Sequence, residues 1–159
     1  MILKPDYNVV SIFDIKFEEL WQQGISVILF DLDSTIMPSK SGAYPENVVG
    51  LLNELKENFT VAVVSNNKNK DYIEKVQNIS DFTIIGHANK PSPTVMKKFL
   101  ADIGKTPKET VVVGDRPLTD ILAGKLLGAK TILVDSITKH KEGIPTRFVR
   151  RLERITIRK

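Results

Sequence analysis

The chain contains no cysteine. A disulfide framework and thiolate chemistry are therefore excluded, and a reducing compartment is permitted. Long apolar runs are missing as well: none approaches the roughly 20 residues that span a bilayer. The opening MILKPDYNVV lacks the long apolar stretch and small-residue cleavage site of a signal peptide. Glycine and proline are scattered, and there is neither an internal repeat nor a low-complexity stretch. From these absences we expect a cytoplasmic protein without a transmembrane segment.

What is present suits one globular domain spanning 1–159. The length is long enough to bury a core, with 42% hydrophobic and 26% charged residues. The net charge of +4 is uneven. Between Lys139 and Lys159 there are eight Lys/Arg and two Glu, out of 23 Lys/Arg and 19 Asp/Glu in the whole chain. Residues 1–138 thus keep 15 basic and 17 acidic residues, and the basic character belongs to a C-terminal segment, 139–159.

Four short apolar runs read as strands buried on both faces: Ile25–Phe30, Thr60–Val64, Thr110–Val113 and Lys130–Val134, with Asp81–Ile85 a weaker fifth. Between them the spacing predicts helices over Glu46–Asn58, Asn69–Ile79, Pro93–Ile103 and Thr119–Leu127, the last capped by Gly128. On the third-residue pattern of Asn69–Ile79, Tyr72, Ile73 and Val76 form the apolar face. Strands alternating with helices imply βαβ units, and hence an α/β, three-layer, Rossmann-like parallel sheet with helices on both faces.

In such sheets ligands bind at the carboxyl ends of the strands. The unusual polar residues of this sequence fall there: Asp31, Asp33, Ser34 and Thr35 after the first run, Ser65, Asn66 and Asn67 after the second, Lys90 after the weaker one, Asp115 and Asp120 after the fourth. Carboxylates gathered on one rim raise one another's pKa unless a cation compensates them. Mg²⁺ suits one or two carboxylates together with a substrate phosphate. A lysine and a serine can donate to phosphoryl oxygens, and an Asp can serve as nucleophile while a second moves protons. Taken singly, each feature has a plainer reading. Asp31 and Asp33 could cap a turn, Ser65 to Asn67 could be a loop, Lys90 could be a solvated lysine, and Asp120 could start a helix. His87 reads as loop or surface, and Thr35 as a loop support.

Asp-Leu-Asp-Ser-Thr-Ile at 31–36, Ser65 after an apolar strand, Lys90-Pro91, and Gly114-Asp115 with Asp120 resemble, in order, the four motifs of the haloacid-dehalogenase (HAD) superfamily. The opening LKPDY, NKPSP, GDRPLTD and PTRFVRRLER further resemble the YqeG branch of class IIIA HAD phosphatases, a branch associated with dephosphorylating phosphatidylglycerophosphate. Ser34 departs from that branch, where Asn is expected. The resemblance implies that Asp31 is nucleophile and Mg²⁺ ligand. It implies that Asp33 is general acid/base and a metal ligand through its carbonyl, that Ser65, Asn66 and Lys90 bind the phosphoryl group, and that Asp115 and Asp120 serve the metal. Cap domains of the superfamily enter after the first motif and before the third. The short intervals Ile36–Tyr44 and Ile79–Lys90 leave no room for one, so we expect an open site suited to a bulky phosphomonoester.

The segment Thr146–Lys159 places Arg147, Arg150, Arg151, Arg154 and Arg158 within about 100° on a helical projection, apart from Phe148, Leu152 and Ile155. That pattern fits a basic amphipathic helix drawn to anionic phospholipid at a membrane surface. It equally fits a helix docked on the domain, or a strand at its Arg-Ile-Thr-Ile end. Nucleic-acid binding is disfavoured because Phe148 is the lone aromatic there. Two rivals to a lipid phosphatase stay open: a phosphatase of soluble sugar phosphates or nucleotides, and a non-catalytic binding module.

Overall fold

The computed structural model describes residues 3–137. The basic segment 139–159 lies outside the described residues. Among the described residues six strands form one parallel sheet. In chain order the elements are β1 (Tyr7–Asn8), α1 (Phe17–Gln22), β2 (Val27–Phe30), α2 (Glu46–Leu55), β3 (Thr60–Val64), α3 (Lys70–Asn78), β4 (Thr83–Ile85), α4 (Thr94–Asp102), β5 (Thr110–Gly114), α5 (Leu122–Leu127) and β6 (Lys130–Leu133). Across the sheet the order is β1-β6-β5-β2-β3-β4.

Residue alternation within the strands separates two cores, because successive side chains point to opposite faces. Ile28 and Phe30 of β2, Val61 and Val63 of β3, and Val111 and Val113 of β5 pack with Leu20, Val48, Leu52 and Val76 from α1 to α3. The intervening Val27, Leu29, Ala62, Val64 and Val112 pack with Met96 and Leu100 of α4 and Ala123 and Leu127 of α5. All four residues of β2 are fully buried. An uninterrupted apolar run is what a strand covered on both faces needs. No helix among the described residues is long and apolar enough to cross a membrane.

The expected α/β architecture is present, with three differences. β1 is new: two residues are too few to show a period, and Tyr7 and Asn8 pair with Ile132 and Leu133 of β6. The one-and-a-half-turn α1 went unforeseen for the same reason. The helix expected at Thr119–Leu127 begins instead as a π-helical turn, Pro117–Ile121, before α5. Gly128 closes it at φ 91°, the left-handed conformation that glycine adopts without steric cost.

Asp6 fastens β1 to the sheet. Its Oδ2 accepts the Thr131 N–H (2.8 Å), the Thr131 hydroxyl (3.1 Å) and the Lys125 ammonium (3.2 Å). Burial works to raise the Asp6 pKa, but the Thr131 amide and Lys125 outweigh it and hold the carboxyl below its ordinary 3.8. Stability from this group is therefore fully present above pH 3.8 and drains as pH falls through the lower, folded-state value. Asp6→Ala is expected to cost about 1–2 kcal/mol near pH 7, the range for a charged acceptor partly in solvent. In urea unfolding, the gap between parent and variant should narrow as the pH is taken below 4, a range set by that lowered carboxyl.

Candidate active site

β2 is the point where the chain's path divides: β3 and β4 lie to one side, β5 and β6 to the other. Its carboxyl end therefore opens into the crevice that parallel sheets use for ligands. Asp31 prolongs β2 by one hydrogen bond, its N–H donating to Val113 O of β5 at 2.9 Å. That pairing sets Asp31 beside the end of β5, where Gly114 and Asp115 follow. The turn after Asp31 is pinned from below by Leu32, Ile36 and Met37, all fully buried, and Ser34 adopts φ 71° within it.

Lys90 is the centre of the arrangement. Its side chain is only 3% exposed. All three ammonium protons have acceptors: Asp31 Oδ1 at 2.9 Å, Asp120 Oδ1 at 2.7 Å and the Val64 carbonyl at 2.7 Å. Burial alone would lower the lysine pKa, but the charges of Asp120 and Asp31 overcome it and hold the ammonium above its ordinary value. Asp120 shows the reverse balance. Burial and the charge of Asp31 raise its pKa, and Lys90 offsets only part of this. Carboxylate oxygens of Asp31, Asp115 and Asp120 all lie within 4.8 Å of one another. The Thr35 hydroxyl stands between two of them, 3.2 Å from Asp31 Oδ2 and 3.1 Å from Asp115 Oδ1.

Backbone choices make this packing possible. A Cβ at Gly114 would collide with the Asp120 carboxylate, so only glycine lets that side chain fold back over the end of β5. Asp120 Oδ2 in turn accepts the Arg116 N–H at 3.1 Å and closes the π-helical turn. Such turns recur at functional sites. Asn66 fastens the Lys90 loop by accepting the Lys90 N–H (2.7 Å) and donating to its carbonyl (3.0 Å).

Above Lys90 lies an open cavity of about 370 Å³, lined by Asp31, Asp33, Ser65, Asn66, Lys90 and Arg116 among others. The links that could hold a cap carry little structure. Ile36–Tyr44 contains no helix or strand beyond the Met37 end of an isolated bridge with Asp33, and Ile79–Lys90 contains only β4.

The structure thus brings Asp31, Lys90, Asp115 and Asp120 into direct contact range, with Ser65 and Asn66 on the same cavity. Asp33 lines that cavity but stands outside the carboxylate triad. Its Oδ1 accepts the Tyr72 hydroxyl at 2.7 Å and the Lys40 N–H at 2.8 Å. Tyr72 was missed as a polar participant, because helical spacing counts it among the apolar residues of its face. Burial, then the hydrogen bond to Asp33, raises its pKa, so the phenol stays a donor. The place of Thr35 between two carboxylates is likewise beyond what a loop-supporting hydroxyl suggests.

Comparison with known proteins agrees with this geometry. A family model described as HAD-hydrolase-like matches residues 87–151. A probable phosphatase, YqeG of Bacillus subtilis, is 31% identical over 94% of this chain and 87% of its own length. The chain belongs to the HAD superfamily, in its YqeG-like branch. HAD-type phosphatase activity follows from that membership. A phosphatidylglycerophosphate phosphatase of Arabidopsis thaliana is 27% identical over 94% of this chain, which spans 45% of that longer protein. A HAD-family enzyme of Bacteroides thetaiotaomicron, solved with magnesium and inorganic phosphate, has a TM-score of 0.56 at 17% identity, covering 79% of this chain and all of the other. At that identity it bears on the HAD fold alone.

Proposed function

We propose that this HAD phosphatase is Mg²⁺-dependent, works through an aspartyl-phosphate on Asp31, and hydrolyses phosphatidylglycerophosphate. One observation carries the chemistry: three clustered carboxylates, two of which share a single buried ammonium. Carboxylates gathered at that distance repel one another, and buried charges of that kind need compensation. All the donors are hard oxygens, the set a divalent cation such as Mg²⁺ takes. Asp31, Asp115 and Asp120 would hold it through their carboxylates, with the Asp33 carbonyl as a further ligand. Bound there, the ion would screen a phosphate dianion from the carboxylate that attacks it.

The residues of the chain then divide the work. Ser65 holds a phosphoryl oxygen, and Lys90 holds another by releasing one of its present acceptors. Asp31 attacks phosphorus, the bond to the leaving oxygen breaks, and that oxygen takes a proton from Asp33. Asp33 next removes a proton from water, the hydroxide attacks the acyl phosphate, and phosphate leaves with Asp31 regenerated. Asn66, with both amide ends engaged by the Lys90 backbone, contributes by placing Lys90.

The substrate rests on two supports. A relative over nearly the whole chain bears the name of a phosphatidylglycerophosphate phosphatase, and among the described residues no inserted helix or sheet follows the first motif to enclose a small metabolite. Phosphate release with Mg²⁺ should favour phosphatidylglycerophosphate in mixed micelles over soluble phosphomonoesters, and EDTA should abolish it. Preference for a sugar phosphate or nucleotide would keep the chemistry and remove the lipid. Activity that persists in EDTA would remove the metal. No release from any ester would favour a binding module.

A further inference from the structure

We infer that Tyr72 is a positioning residue that aims the Asp33 carboxyl, so that its Oδ2 is the oxygen which hands a proton to the leaving group. This rests on the role of Asp33 in the proposed mechanism. The geometry is asymmetric. Both donors that reach the carboxyl, the Tyr72 hydroxyl at 2.7 Å and the Lys40 N–H at 2.8 Å, converge on Oδ1. Among the described residues no side-chain or backbone donor is hydrogen-bonded to Oδ2. An oxygen that already accepts two hydrogen bonds is the poorer place for a proton, because protonation there would displace a donor. Oδ2 is therefore the oxygen open to exchanging a proton with a substrate, and Asp33 lines the cavity where the leaving oxygen must sit.

The two donors come from independent elements. Tyr72 stands in the first turn of α3, whose N-terminus is capped by Asn69 accepting the Tyr72 N–H at 3.1 Å. Its hydroxyl also lies 3.5 Å from the Met37 sulfur, at the far end of the same turn that carries Asp33. Lys40 reaches Asp33 through its backbone in a left-handed conformation, φ 57°. A helix and a loop thus hold one oxygen in place, which confines the carboxyl to a single orientation. Placing catalytic groups within a fraction of an ångström is what such supporting contacts contribute.

Leaving-group dependence tests this. p-Nitrophenolate departs as a stabilised anion and needs little protonation, whereas an alkoxide requires the proton. With kcat/KM read for both, only steps through leaving-group departure are compared, since hydrolysis of the acyl phosphate is common to all esters. Tyr72→Phe keeps the ring and removes the donor. It should lower kcat/KM for an alkyl phosphate such as glycerol phosphate about tenfold more than for p-nitrophenyl phosphate, the size expected of one charge-assisted hydrogen bond. Asp33→Asn should show the same selectivity more strongly, by about a hundredfold. The double variant should be little worse than Asp33→Asn alone. Equal losses on both esters, or additive losses in the double variant, would overturn the role of Tyr72. Asp33→Asn without ester selectivity would instead overturn the acid/base assignment itself. Thermal melting of each variant separates these outcomes from simple unfolding.

Discussion

Asp31→Asn is expected to lower kcat by at least about a thousandfold while leaving the fold intact or slightly firmer. Loss of a nucleophile removes the covalent route altogether, and measured cases of that kind reach about a millionfold. An amide cannot form the acyl phosphate, yet it has nearly the shape of the carboxylate. The stability side of the prediction comes from charge. With Asp31 neutral, the site holds two carboxylates and the Lys90 ammonium. Lys90 keeps its bonds to Asp120 and the Val64 carbonyl, and one source of the raised Asp120 pKa is gone. Crowded like charges are relieved, so the melting temperature should not fall. Phosphate release and thermal melting of the same preparation check both halves. Retained turnover would place the nucleophile elsewhere, and a collapse in stability would mean that Asp31 serves packing rather than chemistry.

Lys90→Met should do the opposite to stability. The side chain is similar in length but carries no donor. Its loss strands the carboxylates of Asp31 and Asp120 and the Val64 carbonyl, the three groups the ammonium now satisfies. Removing one partner of a buried ion pair costs roughly 3–5 kcal/mol. For a chain of this size that is a fall in Tm of about 10 °C. Activity should fall at least a hundredfold, as when one donor to a developing oxyanion is removed. The variant also separates two origins of the carboxylate cluster. If the three acids are a cation site, Mg²⁺ should raise the Tm of Lys90→Met by more than it raises that of the parent, because the ion no longer competes with the ammonium for Asp31 and Asp120. Equal shifts, or none, would argue against a cation held by Asp31, Asp115 and Asp120.

The two variants differ because the same carboxylates are an electrostatic burden without a cation and a binding site with one. Asp115 and Asp120 are essentially inaccessible, so water cannot relieve them. That burial makes Lys90 structural whatever its part in the chemistry, and it makes a surface-lysine reading of this residue untenable.

The apolar runs of β2, β3, β5 and β6, and the polar residues that end them, were readable directly, because a strand covered on both faces has few polar positions to spare. The weaker run of β4 was readable too, with a shorter span. The two-residue β1 was not: its existence depends on a partner 125 residues away, through Asp6 and Thr131. Nor was the π-helical turn at Pro117–Ile121, within which Asp120 folds back onto Gly114. Asn66, read as a substrate contact, has both amide ends on the Lys90 main chain, a pairing no local pattern reveals.

The order of residues by itself determined the fold class and the chemical types gathered at the strand ends, since apolar periodicity and hydrogen-bonding capacity are local properties. Tertiary structure alone decided which of those groups share protons. Sheet order sets Asp31, just after β2, beside Asp115, just after β5, and burial turns Lys90 inward onto an acid 59 residues away. Helix α3 carries Tyr72, by spacing an apolar-face residue, to the Asp33 carboxylate. Hydrogen bonds and charge compensation depend on distance in space, and that distance exists only once the chain has folded.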